Sequence, residues 1–394
     1  MRLSPLCAGF AFVAATSGGQ GTPPQFRIAE DLRISGETES LVSFSSLLVG
    51  RDGRIVVPQG QDARLLVFDA AGHRIGAFGR KGNGPGEFRD LYGSMGWRAD
   101  TLWIFEFNQR RLTFISHDLR LLRTQSTVDA AATAPPPANP ARRVEMTNLN
   151  IEYLYADGSM LVLWSFGPQD PETFSNTNRR YVIINATGDV LRDVARTPPP
   201  AGRVSTRLGP GVYSESVPFA ARPYQSVASD GARVGLVTAA TMSGNRGSFT
   251  VTVVRSTGDT VFTRAYKFDG VRVPQAVRDS ALEAMSQWGT RRSAAVRTAG
   301  EALAAKARPL LPTVFASVTS LLMGNDDTEW LAVYDPASNP RYRALDGKGN
   351  VIGEVVLPAH GVLASATRTQ LWVIESNADG LPSIVRYKVQ PAAR

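Results

Sequence analysis

Cysteine, histidine and lysine are scarce in this 394-residue chain. Cys7 is the only cysteine, so neither a disulfide framework nor a cysteine-ligated metal site is available. His73, His117 and His360 are the only histidines, too few for a zinc site built from several of them. H-E-x-x-H, G-x-S-x-G and S-x-x-K are also missing, so metallohydrolase and serine-hydrolase readings lack their minimum parts. Lysine is confined to Lys81, Lys267, Lys306, Lys348 and Lys388, and almost all of the 43 basic residues are therefore arginines. They are scattered along the chain, often beside acids, with no run longer than two. The net charge of +8 thus has no clustered face for nucleic acid to use, and no nucleic-acid partner is expected.

Long hydrophobic runs are absent as well. The nearest, residues 3–15, is too short to span a bilayer. With Arg2 ahead of it and small residues at Val13, Ala14 and Ala15, it reads as a signal peptide over 1–15, followed by a linker over 16–25. Cys7 lies in the wrong context for a lipoprotein cleavage site. The expectation is a soluble, monomeric protein exported to the periplasm or the cell exterior, with no transmembrane segment.

Present in abundance are short β-type runs bounded by turn chemistry, with 36 glycines and 25 prolines scattered among them. "GRIVVPQGQDARLLVFDAAGHRIGAF" and "DTLWIFEFNQRRLTFISHDLRLLRTQ" align at an offset of 47, which puts Ile55 over Leu102 and Phe68 over Ile115. A four-stranded repeat of that length is the signature of propeller blades. Six such units follow one another, and the last has only three strands before the chain ends. The missing strand is available in "QFRIAEDLRI" near the start, and using it would remove an exposed sheet edge. The predicted fold is all-β: a six-bladed β-propeller of four-stranded antiparallel blades over 26–390, its ring closed by an N-terminal strand. Counts of five or seven also fit the spacing.

"FGRKGNGPGEF" (78–88) invites a phosphate-loop reading. Lys81, however, is followed by Gly82 rather than Ser or Thr, and strand-like residues return after Phe88. As a bend between blades the composition makes sense: glycines permit positive φ, Glu87 can cap backbone donors, and Phe78 and Phe88 can anchor the ends. The full run "GRIVVPQGQDARLLVFDAAGHRIGAFGRKGNGPGEF" resembles the NHL-repeat pattern. The layout as a whole, including "SVTSLL", "EWLAVYD" and "GLPSIVRYKV", resembles bacterial exported six-bladed β-propeller proteins, many of unknown function. The amidating lyases share the NHL propeller, but their zinc needs histidines that this chain does not supply. Six-bladed calcium-dependent lactonases place carboxylate and Asn ligands in the channel without a local motif, so the resemblance leaves that class open. "DGKGNVIGE" puts Lys348 where a calcium loop needs a ligand and is read as a turn.

In a four-stranded meander, first-to-second and third-to-fourth turns share one face of the disc. Here they are uniformly short ("RDGR", "AAGH", "ADGS", "STGD", "GKGN"). The long insertions, residues 127–145, 166–180, 197–224 and 268–313, fall on the other face, where binding is expected. The last of these holds an alanine-rich segment read as two helices, roughly 275–288 and 291–307, split near Gly289. Val277, Ala281, Met285 and Trp288 fall on one face, and Arg278, Arg291, Arg292, Arg297 and Lys306 leave the outside basic. That segment reads either as a lid on the propeller or as a docking helix for a partner or a membrane surface.

Polar residues at the long-loop ends of second strands are the candidate ligand contacts: Gln59, Gln61, Glu106, Asn108 and Glu375, with Trp164 beside them. Trp103, Trp330 and Trp372 stand nearby, either as inter-blade core or as the wall of a funnel. The function these features support is a non-catalytic binding scaffold for a protein, sugar, peptide or small molecule, with no metal and no cofactor. The alternative is a funnel-sited hydrolase, lactonase or lyase, with calcium as the possible metal.

Overall fold

The computed structural model describes residues 23–91, 93–127, 144, 149–165, 179–208, 211–287, 294–334 and 339–390. The expected signal peptide and most of the linker lie outside them. Six antiparallel sheets make up the body. The first blade comprises Leu48–Val49, Ile55–Gln59, Arg64–Phe68 and Arg74–Phe78. The second runs from Met95–Arg98 to Leu121–Ser126, the third from Leu149–Leu154 to Val190–Arg196, and the fifth from Val318–Met323 to Val351–Val356. Blade four begins at Tyr224–Val227. Its last two strands, Arg246–Arg255 and Thr260–Asp269, are ten residues long, and an extra short strand, Thr241–Ser243, pairs with the former. Blade six is Val362–Ala366, Gln370–Ser376 and Pro382–Gln390, with Arg27–Ile34 paired antiparallel on its outer edge. The ring is therefore closed by the N-terminal strand, and the fold is a six-bladed β-propeller.

Near-continuous apolar runs bury both faces of the middle strands of each blade, so every sheet packs against both neighbours, while the outer strands are largely exposed. Six separate apolar clusters result, one at each junction. Ile55, Val57 and Phe68 of the first blade meet Trp372, Ile374 and Ile384 of the sixth. Trp103 and Phe105 of the second meet Ile151 and Val162 of the third, and Trp330 of the fifth meets Val373 and Val385 of the sixth. Trp103, Trp330, Trp372 and Trp164 are all core residues, between 0% and 8% exposed.

The short turns follow their sequence chemistry. Gly53, Gly72, Gly158, Gly188, Gly231, Gly258 and Gly349 have φ between +69° and +92°, the left-handed region that glycine enters at little cost. On that face each blade also bonds to the next. Arg54 donates to the His117 carbonyl, Arg98 to that of Ala156, and the Tyr155 hydroxyl to that of Gly231. The Tyr266 hydroxyl donates to Gly349 O at 2.6 Å, the Arg368 N–H to Asp326 at 2.6 Å, and Arg386 to Ala70 O at 3.0 Å. Several of the arginines that make the chain basic are thus turned inward as staples between blades.

The "FGRKGNGPGEF" bend joins blades one and two. Gly79 (φ +94°) sits against the Phe88 ring, where a Cβ would come within 2.5 Å of ring carbons. Glu87 accepts the Gly84 N–H at 2.9 Å, and Phe78 and Phe88 meet edge-on at 6.0 Å.

A satellite module stands on the long-loop face. Helices Gln275–Ser286 and Ala294–Ala307 match the expected pair. The second packs on a β-hairpin, Arg203–Leu208 with Gly211–Ser216, and the first packs on the second; the hairpin falls inside the long 197–224 insertion. Leu282, Met285, Leu303 and Ala307 form one small core with Val204 and Val217. The buried face of the first helix therefore centres on Leu282 and Met285. Val277, expected on that face, is 39% exposed, because the second helix covers the first on its Leu282 and Met285 side. Lys306, expected on the outer surface, donates from Nζ to the Ser205 carbonyl at 2.7 Å. Trp288, Arg291 and Arg292 lie outside the described residues.

Candidate functional site: the central channel

The innermost strand of every blade faces the ring axis, and together they enclose a cavity of about 360 Å³. Leu48, Met95, Tyr153, Val227, Met323 and Ala364 supply one wall position from each blade in turn. That volume falls at the small end of the range for ligand pockets, about 300–1,000 Å³. Towards the short-turn end the lining becomes polar. Ser229 donates to Asn325 Oδ1 at 2.6 Å, and Asn325 Nδ2 donates to the Ser365 hydroxyl at 3.1 Å, a chain that ties blades four, five and six across the cavity. Ser46, just ahead of the first inner strand, lines the long-loop end and is exposed.

Among the described residues one carboxyl group interrupts this lining. Glu152 lies in the innermost strand of blade three, at a break in register: Ile151 faces Val162 and Tyr153 faces Leu161, so Glu152 is the unpaired extra residue of a β-bulge. Bulges re-aim side chains that a regular ladder would send into the sheet interface. No hydrogen bond or ion pair reaches Glu152 from the described residues. Burial pushes its carboxyl up to about 7, and the opposing pull of the Arg179 charge is smaller. The inner strands of blades five and six carry similar shifts in register, and that of blade six falls at Ala364, also on the cavity wall.

The sequence-selected residues sit elsewhere. Gln59 is fully buried, with Oε1 accepting the Val42 N–H at 2.7 Å. Glu106, also fully buried, accepts the Arg89 N–H at 3.2 Å and pairs with Arg111 at 2.6 Å; burial raises its carboxyl against the pull of Arg111. Arg111 in turn donates to the carbonyls of Asn83, Gly84 and Glu87 and so holds the glycine-rich bend. Asn108 is exposed and donates to Asp90 at 2.8 Å, and Gln61 is exposed at its turn. Glu375 accepts from the Tyr387 hydroxyl and from Arg33 at 3.0 Å. Trp164 is buried in the junction of blades two and three, with the Arg180 guanidinium 4.8 Å from its ring centre. None of the six lines the channel cavity. Glu152 escaped the sequence reading because "NIEYLYADG" looks like a regular strand, and a bulge leaves no mark in composition.

His73 and His117 lie in short turns, paired with Asp69 and Asp52 at 3.2 Å each. Among the described residues no three His, Cys, Asp or Glu side chains come close enough together to hold a metal ion. No described helix is long and apolar enough to cross a membrane.

No protein-family model matches the chain, and no curated protein sequence does. Solved structures do. A member of the DUF4221 family from Bacteroides vulgatus superimposes with a TM-score of 0.51 at 10% identity, over 94% of this chain and all of that one. A candidate exported protein from Bacteroides fragilis NCTC 9343 matches at 0.48 and 11% identity, over 93% and 96% of the two chains. A virginiamycin B lyase from Staphylococcus aureus matches at 0.32 and 10% identity, over 94% and 90%. At such identities the likeness to the first of these speaks for the fold alone, the same six-bladed ring built here by an unrelated-looking sequence.

Proposed function

We propose that the chain is an exported, non-catalytic binding protein whose small-molecule ligand enters the central channel from the long-loop face. The observation that carries this reading is the cavity itself: all six inner strands contribute to one space of mixed apolar and polar lining with a polar far end. Such a lining suits a compact ligand with an apolar body and one or two hydrogen-bonding groups. The exposed Ser46 end of the cavity supplies the entrance, and the stapled short-turn face supplies rigidity.

A ligand screen by thermal shift tests this, comparing the wild type with Ser46→Trp, which narrows the long-loop entrance at an exposed position. Compounds that stabilise the wild type are expected to lose their effect on the variant. Equal stabilisation of both proteins overturns the channel reading. The calcium-dependent hydrolase alternative is tested by metal analysis of purified protein: stoichiometric, chelator-sensitive calcium moves the reading to catalysis. Export is tested by the mature N-terminus, expected to follow residue 15.

A further inference from the structure

We propose that Glu152 selects ligands carrying a positively charged amine, its carboxylate pairing with the ammonium inside the channel. The inference rests on the channel reading and deepens it. Among the described residues Glu152 is the one carboxyl group, and the one acid or base other than Tyr153, on a wall otherwise made of aliphatic, serine and asparagine groups. It stands at a β-bulge, where the backbone has departed from the ladder and the side chain is freed from the sheet interface. Other buried carboxylates of the described ring are paired: Glu106 with Arg111, Glu329 with Arg233 at 2.7 Å, and Glu354 with Arg341 and Arg343 at 2.8 and 3.1 Å. Glu152 has no such partner among the described residues.

Glu152 is half-buried; a carboxylate partly withdrawn from water without a donor is destabilised, and an incoming ammonium restores what the protein leaves out. The groups around it leave room for that role. Arg179 and Tyr181, both on the third strand of the same blade, are the ionisable residues whose charges couple to it. The facing inner strands present Ser226 and Val227 from blade four, Met95 from blade two, and Leu322, Met323 and Ala364 across the cavity, all neutral. A cation therefore meets one negative group and no described competing acid on the wall. The apolar surround favours an amine with a hydrocarbon body over a strongly hydrated inorganic ion.

Calorimetric titration of three amine–alcohol pairs tests the inference: butylamine and butanol, phenethylamine and phenethyl alcohol, cadaverine and pentanediol. At least one amine is expected to bind the wild type about tenfold or more tighter than its alcohol. Glu152→Gln, whose folding is checked by its melting temperature, is expected to abolish that preference. Because the ionised form is needed, the preference is expected to be strong at about pH 8.5 and weak at about pH 5.5. Equal binding of amines and alcohols, or amine binding unchanged in Glu152→Gln, overturns the inference. If Ser46→Trp still removes that equal binding, the channel reading stands without it. Failure of every amine to bind the wild type also overturns the inference, and the channel reading then rests on its own Ser46→Trp comparison.

Discussion

Gln59 and Glu106 stand 47 residues apart and make the same bond: each accepts a backbone N–H from the residue 17 positions earlier, Val42 and Arg89 respectively. In blades one and two the second strand thus ends on a side chain that fastens the crossover leading into that blade. In blade two the acceptor is charged and also holds Arg111, which in turn holds the glycine-rich bend.

Glu106→Ala should therefore be among the most damaging single changes in the ring. It strands a mostly buried guanidinium and a buried backbone donor together, and breaking a pair of this kind costs about 3–5 kcal/mol. Glu106→Gln keeps an acceptor for the Arg89 N–H and should cost clearly less. Chemical denaturation of the two variants checks the order, and a larger loss for the glutamine variant would contradict it.

Glu152 gives stability a pH dependence of definite sign. Its folded value, near 7, lies above the ordinary 4.5, so the group favours the folded state fully below about pH 4.5. That contribution is lost as pH rises through 7. Glu152→Gln removes the titration, and its stability relative to wild type should improve by about 2–3 kcal/mol between pH 4.5 and pH 8. Denaturation curves at the two pH values measure this, and a gap that stays constant would rule it out.

The satellite module should unfold apart from the ring. Leu303 is fully buried in a core that shares no residue with the six inter-blade clusters. Leu303→Ala should cost about 2–5 kcal/mol locally. Hydrogen exchange is expected to speed up in 203–216 and 275–307 while the blade strands keep their protection. Loss of protection throughout the blades would show the module to be part of the ring's cooperative unit.

Deleting residues 23–34 removes the outer strand of blade six and bares the edge of Pro382–Gln390. Exposed edges of that length pair with other chains. The truncated protein should melt lower and self-associate in sedimentation, whereas a monomer of unchanged melting temperature would deny the closing strand its role.

Much of this ring was legible in the sequence because its governing signals are local and repeated. The 47-residue offset, the glycine turns and the unmatched "QFRIAEDLRI" together specify blades one, two and six. The hairpin at 203–216 was hidden because its partners are helices some 70 to 100 residues later, so it lacks the two-sided apolar pattern of a blade strand. The channel was hidden for a different reason. Ser46, Glu152, Ser226 and Ser365 meet only through the closure of the ring, and nothing in their local spacing connects them. Polar residues at strand ends look available in a sequence. Gln59 and Glu106 turn out to be occupied by backbone.

The seam of the propeller has the geometry of a hairpin from which the turn has been left out. Arg27 and Gln390 are register partners at neighbouring strand ends, on the face where third and fourth strands of the other blades are joined by short turns. A linker of about two to five residues between them would complete a sixth meander like the rest. New ends could then be opened at the Ser256–Asp259 turn of blade four. Such a circular permutant would keep every blade and move the weak point of the ring a third of a turn away, from blade six to blade four.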